Sequence, residues 1–173
     1  RVLWGEAERM GSLVVDEANF KSERDVVKEE LRQSVLSQPY GKLFYLYLSQ
    51  SAFNVHPYGR PGIGSLADLD AATVADVRAF HAAYYRPDNA VLVVSGNFNQ
   101  AQLDQWVDKY FAGISKPDRP IPRVTAVEPA RAEPKDLTVY EPNVPLPAVL
   151  MSWPQPEAES PDIPALMMLD AIM

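Results

Sequence analysis

The placement of proline limits what this chain can fold into more than any other feature. Four of its 16 prolines precede residue 117, and the other twelve lie in residues 117–173. Proline has no backbone N–H, breaks helix interiors and pushes the residue before it towards extended conformations. We therefore expect residues 115–134 to form an extended linker that has no core of its own.

Hydrophobic periodicity predicts where the helices lie. They are expected over residues 2–16, from Ser22 to about Leu36, over 40–53, from Thr73 to about 85, and from Asn99 to about 112, with a last helix from about Asp162. Thr73 precedes Asp76 by three residues, which is the spacing of a capping residue and its partner. Ser22 precedes Asp25 by the same distance, so we expect it to cap the second helix.

Three short apolar runs predict β-strands. Residues 90–95 have the sequence Ala-Val-Leu-Val-Val-Ser, and similar runs occupy residues 137–140 and 148–153. Short runs rich in β-branched residues are typical of strands, and the first run, which is apolar throughout, is typical of a strand buried on both faces. Helices and strands together predict an α+β fold.

Charge and composition exclude several classes of protein. The chain has 23 acidic and 16 basic residues and a net charge of −7, which argues against a nucleic-acid or anionic-membrane surface. No apolar run approaches the ~20 residues of a membrane span. The absence of cysteine excludes disulfides and thiolate metal sites, and is compatible with a cytoplasmic or a bacterial periplasmic protein. We favour the periplasm slightly.

The helix expected after residue 20 carries acidic residues beside apolar ones. At 100° per residue, Glu23, Val26, Val27, Glu30 and Leu31 fall within about 140° of one another. Two carboxylates are therefore expected on the face that packs against the core, where an acid usually meets a cation, a metal or a proton. The alternative is that both acids lie at the edge of this face and reach water.

The two histidines are isolated from each other and from this helix. His56 begins a proline- and glycine-rich loop over residues 56–64, where it is expected to bond only to backbone. His81 shares a helix face with Phe80 and Tyr84, which is typical of a hydrogen-bonded histidine at the edge of a core.

Four stretches carry a resemblance to a known family. The acidic helix contains Glu-Arg-x-x-Val-x-x-Glu at residues 23–30, and residues 56–64, 80–89 and 90–98 follow in the family's order. Over about residues 1–113 the chain resembles the pitrilysin, insulinase and mitochondrial processing peptidase family, the M16 zinc peptidases. The resemblance implies helices packed on an antiparallel sheet that draws further strands from upstream of Arg1. It also implies that this chain is part of a longer protein.

The resemblance further implies a division into modules and a metal site. Residues 1–114 would be the C-terminal part of a first module, 115–134 a linker, and 135–173 the start of the next module. Glu30 would be the third ligand of a zinc ion, and Glu23 an outer acid that orients the site. The family's other two ligands and its general base come from a His-x-x-Glu-His segment, which this sequence lacks.

Three functions remain open from the sequence. The first is a piece of a zinc endopeptidase that cleaves peptides or unfolded segments in a closed chamber, with the piece itself inactive. The second is a non-catalytic module of the same family that serves as a chamber wall or partner subunit, and the third is a plain α+β binding domain. The expected partners are a peptide substrate and an M16-like module or subunit. The isolated chain is expected to self-associate through its open sheet edge.

Overall fold

The structure, a computed structural model, describes residues 1–173 and contains seven α-helices. They are α1 (Val2–Gly11), α2 (Glu17–Leu31), α3 (Leu48–Ala52), α4 (Leu66–Ala71), α5 (Val74–Tyr84), α6 (Gln100–Phe111) and α7 (Ile163–Ile172). Two π-helical turns span Arg32–Leu36 and Leu43–Tyr47, and two 3-10 turns span Pro57–Gly59 and Pro87–Asn89. None of the helices combines the length and hydrophobicity that crossing a membrane requires.

The chain divides into two compact units. The first consists of Arg1–Leu31 and Ile63–Thr125, and the second of Arg32–Gly62 and Ala126–Met173. The predicted division into modules at residues 115–134 stays a prediction.

The predicted α+β fold with an antiparallel sheet is wrong, because no residue of the chain lies in a β-strand. The three apolar runs have no regular secondary structure, and none of them is joined to another segment by a ladder of backbone hydrogen bonds. A strand exists only with a partner, since its N–H and C=O groups point sideways out of the chain. The sequence pattern identifies residue types that suit a β-strand, but it does not show whether a second strand is present to pair with it.

Residues 90–95 also differ from the expected strand in their burial. Val91 and Val93 are 89% and 80% exposed, so the prediction of burial on both faces is wrong. Leu92 and Val94 are less exposed and line a shallow cleft with Leu103 of α6. One face of the run thus meets a helix, while the other is apolar and open to solvent.

In the first unit, α1 packs against α6, and α2 packs against α4. Lys28 of α2 forms an ion pair with Asp70 at the end of α4, and Leu31, 2% exposed, is part of the core. Thr73 and Asp76 form the predicted capping box at the start of α5. The predicted Ser22 cap is wrong, because α2 begins earlier, where Asp16 Oδ1 accepts a hydrogen bond from the Asn19 N–H at 2.8 Å.

In the second unit, the helix predicted for residues 40–53 is a π-helical turn followed by α3. Tyr40, just before it, is held by its hydroxyl group, which donates to the Leu146 carbonyl oxygen at 2.8 Å and accepts from the Leu146 N–H at 3.3 Å. Lys42 and Tyr47 bond to the two carboxylate oxygens of Glu141. The proline-rich C-terminal part of the unit is therefore attached through side chains rather than through a sheet.

Candidate functional site

The candidate metal ligand lies on the solvent-exposed side of α2. Glu23 and Glu30 are both exposed, and Val26 between them is 59% exposed. Seven residues of helix place the two acids on the same face about 10 Å apart along the axis. The shared face agrees with the sequence analysis, whereas the prediction that this face is buried is wrong. The alternative that both acids reach water describes the structure.

The packed face of α2 is centred on Phe20, an apolar residue that the sequence analysis left out of the stripe. Its less exposed side chains are Phe20, Arg24, Val27, Lys28 and Leu31. Phe20, Val27 and Leu31 lie within about 40° of one another at 100° per residue, and the two acids lie about 60–80° to one side of their centre. Including Phe20 in the apolar stripe would have predicted the correct face.

Arg24 lies on the packed side and is the least satisfied polar group of the helix. Its Nε atom is buried without a hydrogen-bond partner, and its guanidinium group lies 5.7 Å from the centre of the Phe20 ring. Its nearest acid is Asp25, 3.6 Å from Nε. A cation over an aromatic ring gains modest electrostatic stabilisation, so Arg24 contributes to packing this helix.

Glu30 can offer one carboxylate to a metal, but the chain does not assemble a metal site around it. Across residues 1–173, no group of three or more His, Cys, Asp and Glu side chains is placed to hold an ion. Zinc in a peptidase takes three protein ligands and keeps a fourth position open. The roles of Glu30 as ligand and Glu23 as outer acid stay predictions.

Both histidines bond to backbone, as expected from the sequence. His56 Nδ1 accepts a hydrogen bond from the Tyr58 N–H at 3.2 Å. His81 Nε2 lies 2.8 Å from the carbonyl oxygen of Arg9, and its ring stacks on Tyr85 with the centroids 4.7 Å apart. A carbonyl oxygen only accepts, so Nε2 of His81 carries the proton.

Sequence analysis missed two carboxylates in the second unit. Glu128 accepts three backbone N–H groups, and these hydrogen bonds lower the pKa of Glu128 to about 2. Glu141 accepts hydrogen bonds from Tyr47 at 2.7 Å and Lys42 at 2.9 Å, which hold the pKa of Glu141 below its usual range. The hydrogen-bond partners of both carboxylates are distant from them in sequence, and Glu128 lies in the expected linker. No local sequence pattern therefore indicates either set of contacts.

Arg86 is a buried charge in the first unit that sequence analysis also missed. It is 2% exposed, and its guanidinium group bonds both oxygens of Asp88 and the carbonyl oxygens of Pro117 and Arg119. The bidentate contact with Asp88 raises the pKa of Arg86 and lowers that of Asp88. This arrangement holds the start of the proline-rich segment through the carbonyl oxygens of Pro117 and Arg119.

Comparison with known proteins finds relatives that are all named as peptidases or peptidase domains. The family profile described as "Peptidase M16 inactive domain" matches residues 71–173. The zinc protease PqqE of Helicobacter pylori is 32% identical over 96% of this chain and 38% of its own length. The beta subunit of the mitochondrial-processing peptidase of Saccharomyces cerevisiae is 26% identical over 63% of this chain and 23% of its own length.

A solved structure is also similar. The crystal structure of a protease from Helicobacter pylori matches with a TM-score of 0.69 and 34% identity, over 74% of this chain and 31% of that chain. This chain spans 38% of the length of PqqE and 31% of the solved protease chain, which is about a third of each. Because the family profile covers more than half of the chain, and because the zinc protease PqqE is 32% identical over 96% of it, the chain belongs to the M16 peptidase family.

Proposed function

We propose that this chain is part of a zinc-dependent endopeptidase that hydrolyses peptides or unfolded segments in a closed chamber. The observation that carries the proposal is the position of Glu23 and Glu30 at the family spacing on an exposed helix face, where groups from outside this chain can reach them. Relatives named zinc proteases support the same conclusion.

In this proposal α2 presents the carboxylates and the packing beneath it keeps them in place. Glu30 binds the metal, and Glu23, two turns earlier, orients the site without binding it. Leu31 and the Lys28–Asp70 ion pair hold the packed side of the helix. When bound, zinc polarises the scissile carbonyl and lowers the pKa of its water to about 7.

The isolated chain is expected to be inactive. Residues 1–173 contain the proposed third ligand but no His-x-x-Glu-His segment. A single carboxylate does not outcompete water for zinc, so neither metal binding nor cleavage should be measurable with this chain alone.

The test uses the longer protein and two conservative variants. Glu30→Gln removes an anionic ligand at nearly constant size, so zinc content and cleavage of a fluorogenic peptide should both collapse. Glu23→Gln should lower metal affinity or turnover by about 10- to 100-fold, which is typical of groups that orient a ligand. Glu8→Gln, at an exposed position on α1, is the control and should behave as wild type. Normal zinc content and turnover in Glu30→Gln would refute the proposal.

A second candidate is a non-catalytic module that forms a chamber wall or a partner subunit. The observation that favours it is the match of residues 71–173 to a domain described as inactive. One relative is, by name, a subunit of a peptidase. The reading frame of the longer protein separates the candidates, since a His-x-x-Glu-His segment upstream of Glu23 supports the peptidase and its absence supports the wall.

A further inference from the structure

Residues 128–135 of the proline-rich segment lie against residues 51–56 in the second unit. Glu128 Oε1 accepts the Asn54 N–H at 2.7 Å, and Glu128 Oε2 accepts the N–H groups of Val55 at 2.9 Å and His56 at 2.8 Å. One carboxylate therefore satisfies three consecutive backbone donors of an otherwise irregular loop.

The same segment also satisfies backbone acceptors just before that loop. Arg131 Nη2 donates to the carbonyl oxygens of Ser51 at 2.9 Å and Ala52 at 3.0 Å, and Lys135 Nζ lies 3.3 Å from the Ser51 oxygen. These carbonyls belong to the last turn of α3, where no helical donor remains for them. The anionic side chain of the segment thus bonds backbone N–H donors, and its two cationic side chains bond backbone carbonyl acceptors. The two surfaces are therefore complementary in charge and in hydrogen bonding.

Pro129 adds to this complementarity. The proline ring fixes the φ angle of residue 129, and it favours an extended conformation for Glu128 before it. An extended backbone keeps the side chains of Glu128 and Arg131 apart, so that each can reach its own partners. Less conformational freedom is then lost when the segment binds. The residues between Glu128, Arg131 and Lys135 are exposed, and four of these five are alanine or proline, as expected for a segment that lies on a surface rather than in a core.

We propose that residues 51–56 form a docking site for an extended peptide that carries a carboxylate three residues before an arginine. Glu128–Arg131 fills this site in the free chain as a built-in strap, defined here as residues 128–135. The strap keeps the loop of Asn54–Gly59 ordered, and a peptide of the same chemistry competes for its place. This site is separate from the carboxylates of α2 and does not depend on the proposed peptidase function.

The first measurement is amide hydrogen exchange of the unmodified chain and of two matched variants. In wild type, the amides of Asn54, Val55 and His56 should exchange at least ten times more slowly than their intrinsic rates. Glu128→Gln should remove this protection. Glu133→Gln, on the same strap but exposed and without a contact, should keep it.

The second measurement asks whether the site accepts the peptide in trans. A synthetic peptide of residues 126–135 is added to the Glu128→Gln/Arg131→Gln chain, whose own strap cannot bind well. Protection of the three loop amides should return with increasing peptide. The same peptide with glutamine in place of its first glutamate should not restore it.

Three exchange results would overturn the inference. They are fast exchange of the three amides in wild type, undiminished protection in Glu128→Gln, and failure of the unmodified peptide to restore protection. Exchange of the amides of Leu43–Tyr47, in the same unit as the strap, reports in the same samples whether each variant is folded. A strap variant that unfolds as a whole would also overturn the inference, because the strap would then be part of the core rather than a bound segment.

Discussion

At the scale of single residues, close approaches of backbone decide which side chains are allowed. A Cβ atom at Gly41 would overlap the Val35 carbonyl oxygen, and Tyr40 beside it has a φ of 62°. A non-glycine residue in this left-handed region is unusual, and here the hydrogen bonds of the Tyr40 hydroxyl group to Leu146 hold it. The tight turn between the two π-helical segments therefore depends on the missing side chain of Gly41.

Gly41→Ala should destabilise the fold, because the new methyl group meets backbone that cannot move aside. We expect a loss of about 1–3 kcal/mol, as for other overpacked sites. Gly62→Ala is the control, since its Cβ would have nothing within 4 Å, and it should change stability by less than about 0.5 kcal/mol. Urea unfolding followed by circular dichroism measures both. Equal midpoints for the two variants would contradict the close approach.

The Glu128 carboxylate should make stability depend on pH in the acid range. Its pKa is about 2 in the folded chain, below the ordinary value of 4.5, because three backbone N–H groups bond to the ionised form. The contribution is therefore complete above pH 4.5 and is lost as the pH falls from 4.5 to 2. Wild type should be more stable than Glu128→Gln at pH 7, and the difference should shrink between these limits. A difference in urea midpoint that stays constant from pH 7 to 3 would contradict this cause.

At the scale of elements, features made by residues close in sequence can be predicted from the sequence, whereas features that need a distant partner cannot. The capping box of Thr73 and Asp76 was predicted because its hydrogen bonds join residues three apart. The run 90–95 was taken for a strand because its residue types fit one, whereas strand formation needs a partner that local sequence does not specify. The face of α2 was misassigned because the stripe was counted without Phe20. Exposure of Glu30 was therefore only an alternative in the sequence analysis, and the structure decides in its favour.

Thr73→Ala should lower stability by about 1 kcal/mol, the usual effect of removing a helix N-cap. The threonine hydroxyl group accepts the Asp76 N–H, which would otherwise lack a partner in the first turn of α5. Thr125→Ala, at an exposed position without a hydrogen bond, is the matched control and should be neutral. The difference between the two urea midpoints measures the cap, and no difference would mean that water replaces it fully.

At the scale of the whole molecule, the chain leaves an unusual amount of apolar surface in water. Its accessible surface is 13764 Å², whereas a folded monomer of 19.3 kDa is expected to expose about 8,500 Å². Four apolar side chains are buried, namely Ala7, Leu31, Val35 and Val74. Hydrophobic residues make up 47% of the sequence, which is enough for a core, but composition does not show which of them find a covering surface.

We expect the isolated chain to self-associate, and residues 90–95 to contribute most. This run combines unpaired backbone N–H and C=O groups with two adjacent exposed side chains, Val91 and Val93, which is the combination that promotes pairing between chains. Sedimentation velocity at increasing concentration should show dimers or larger species. Val91→Thr with Val93→Thr keeps the β-branched shape and adds two hydroxyl groups, so it should shift the population towards monomer. Val127→Thr changes one similarly exposed valine outside the run and should not. A wild-type chain that stays monomeric at high concentration would contradict both the role of this run and the expectation that its apolar face binds a partner.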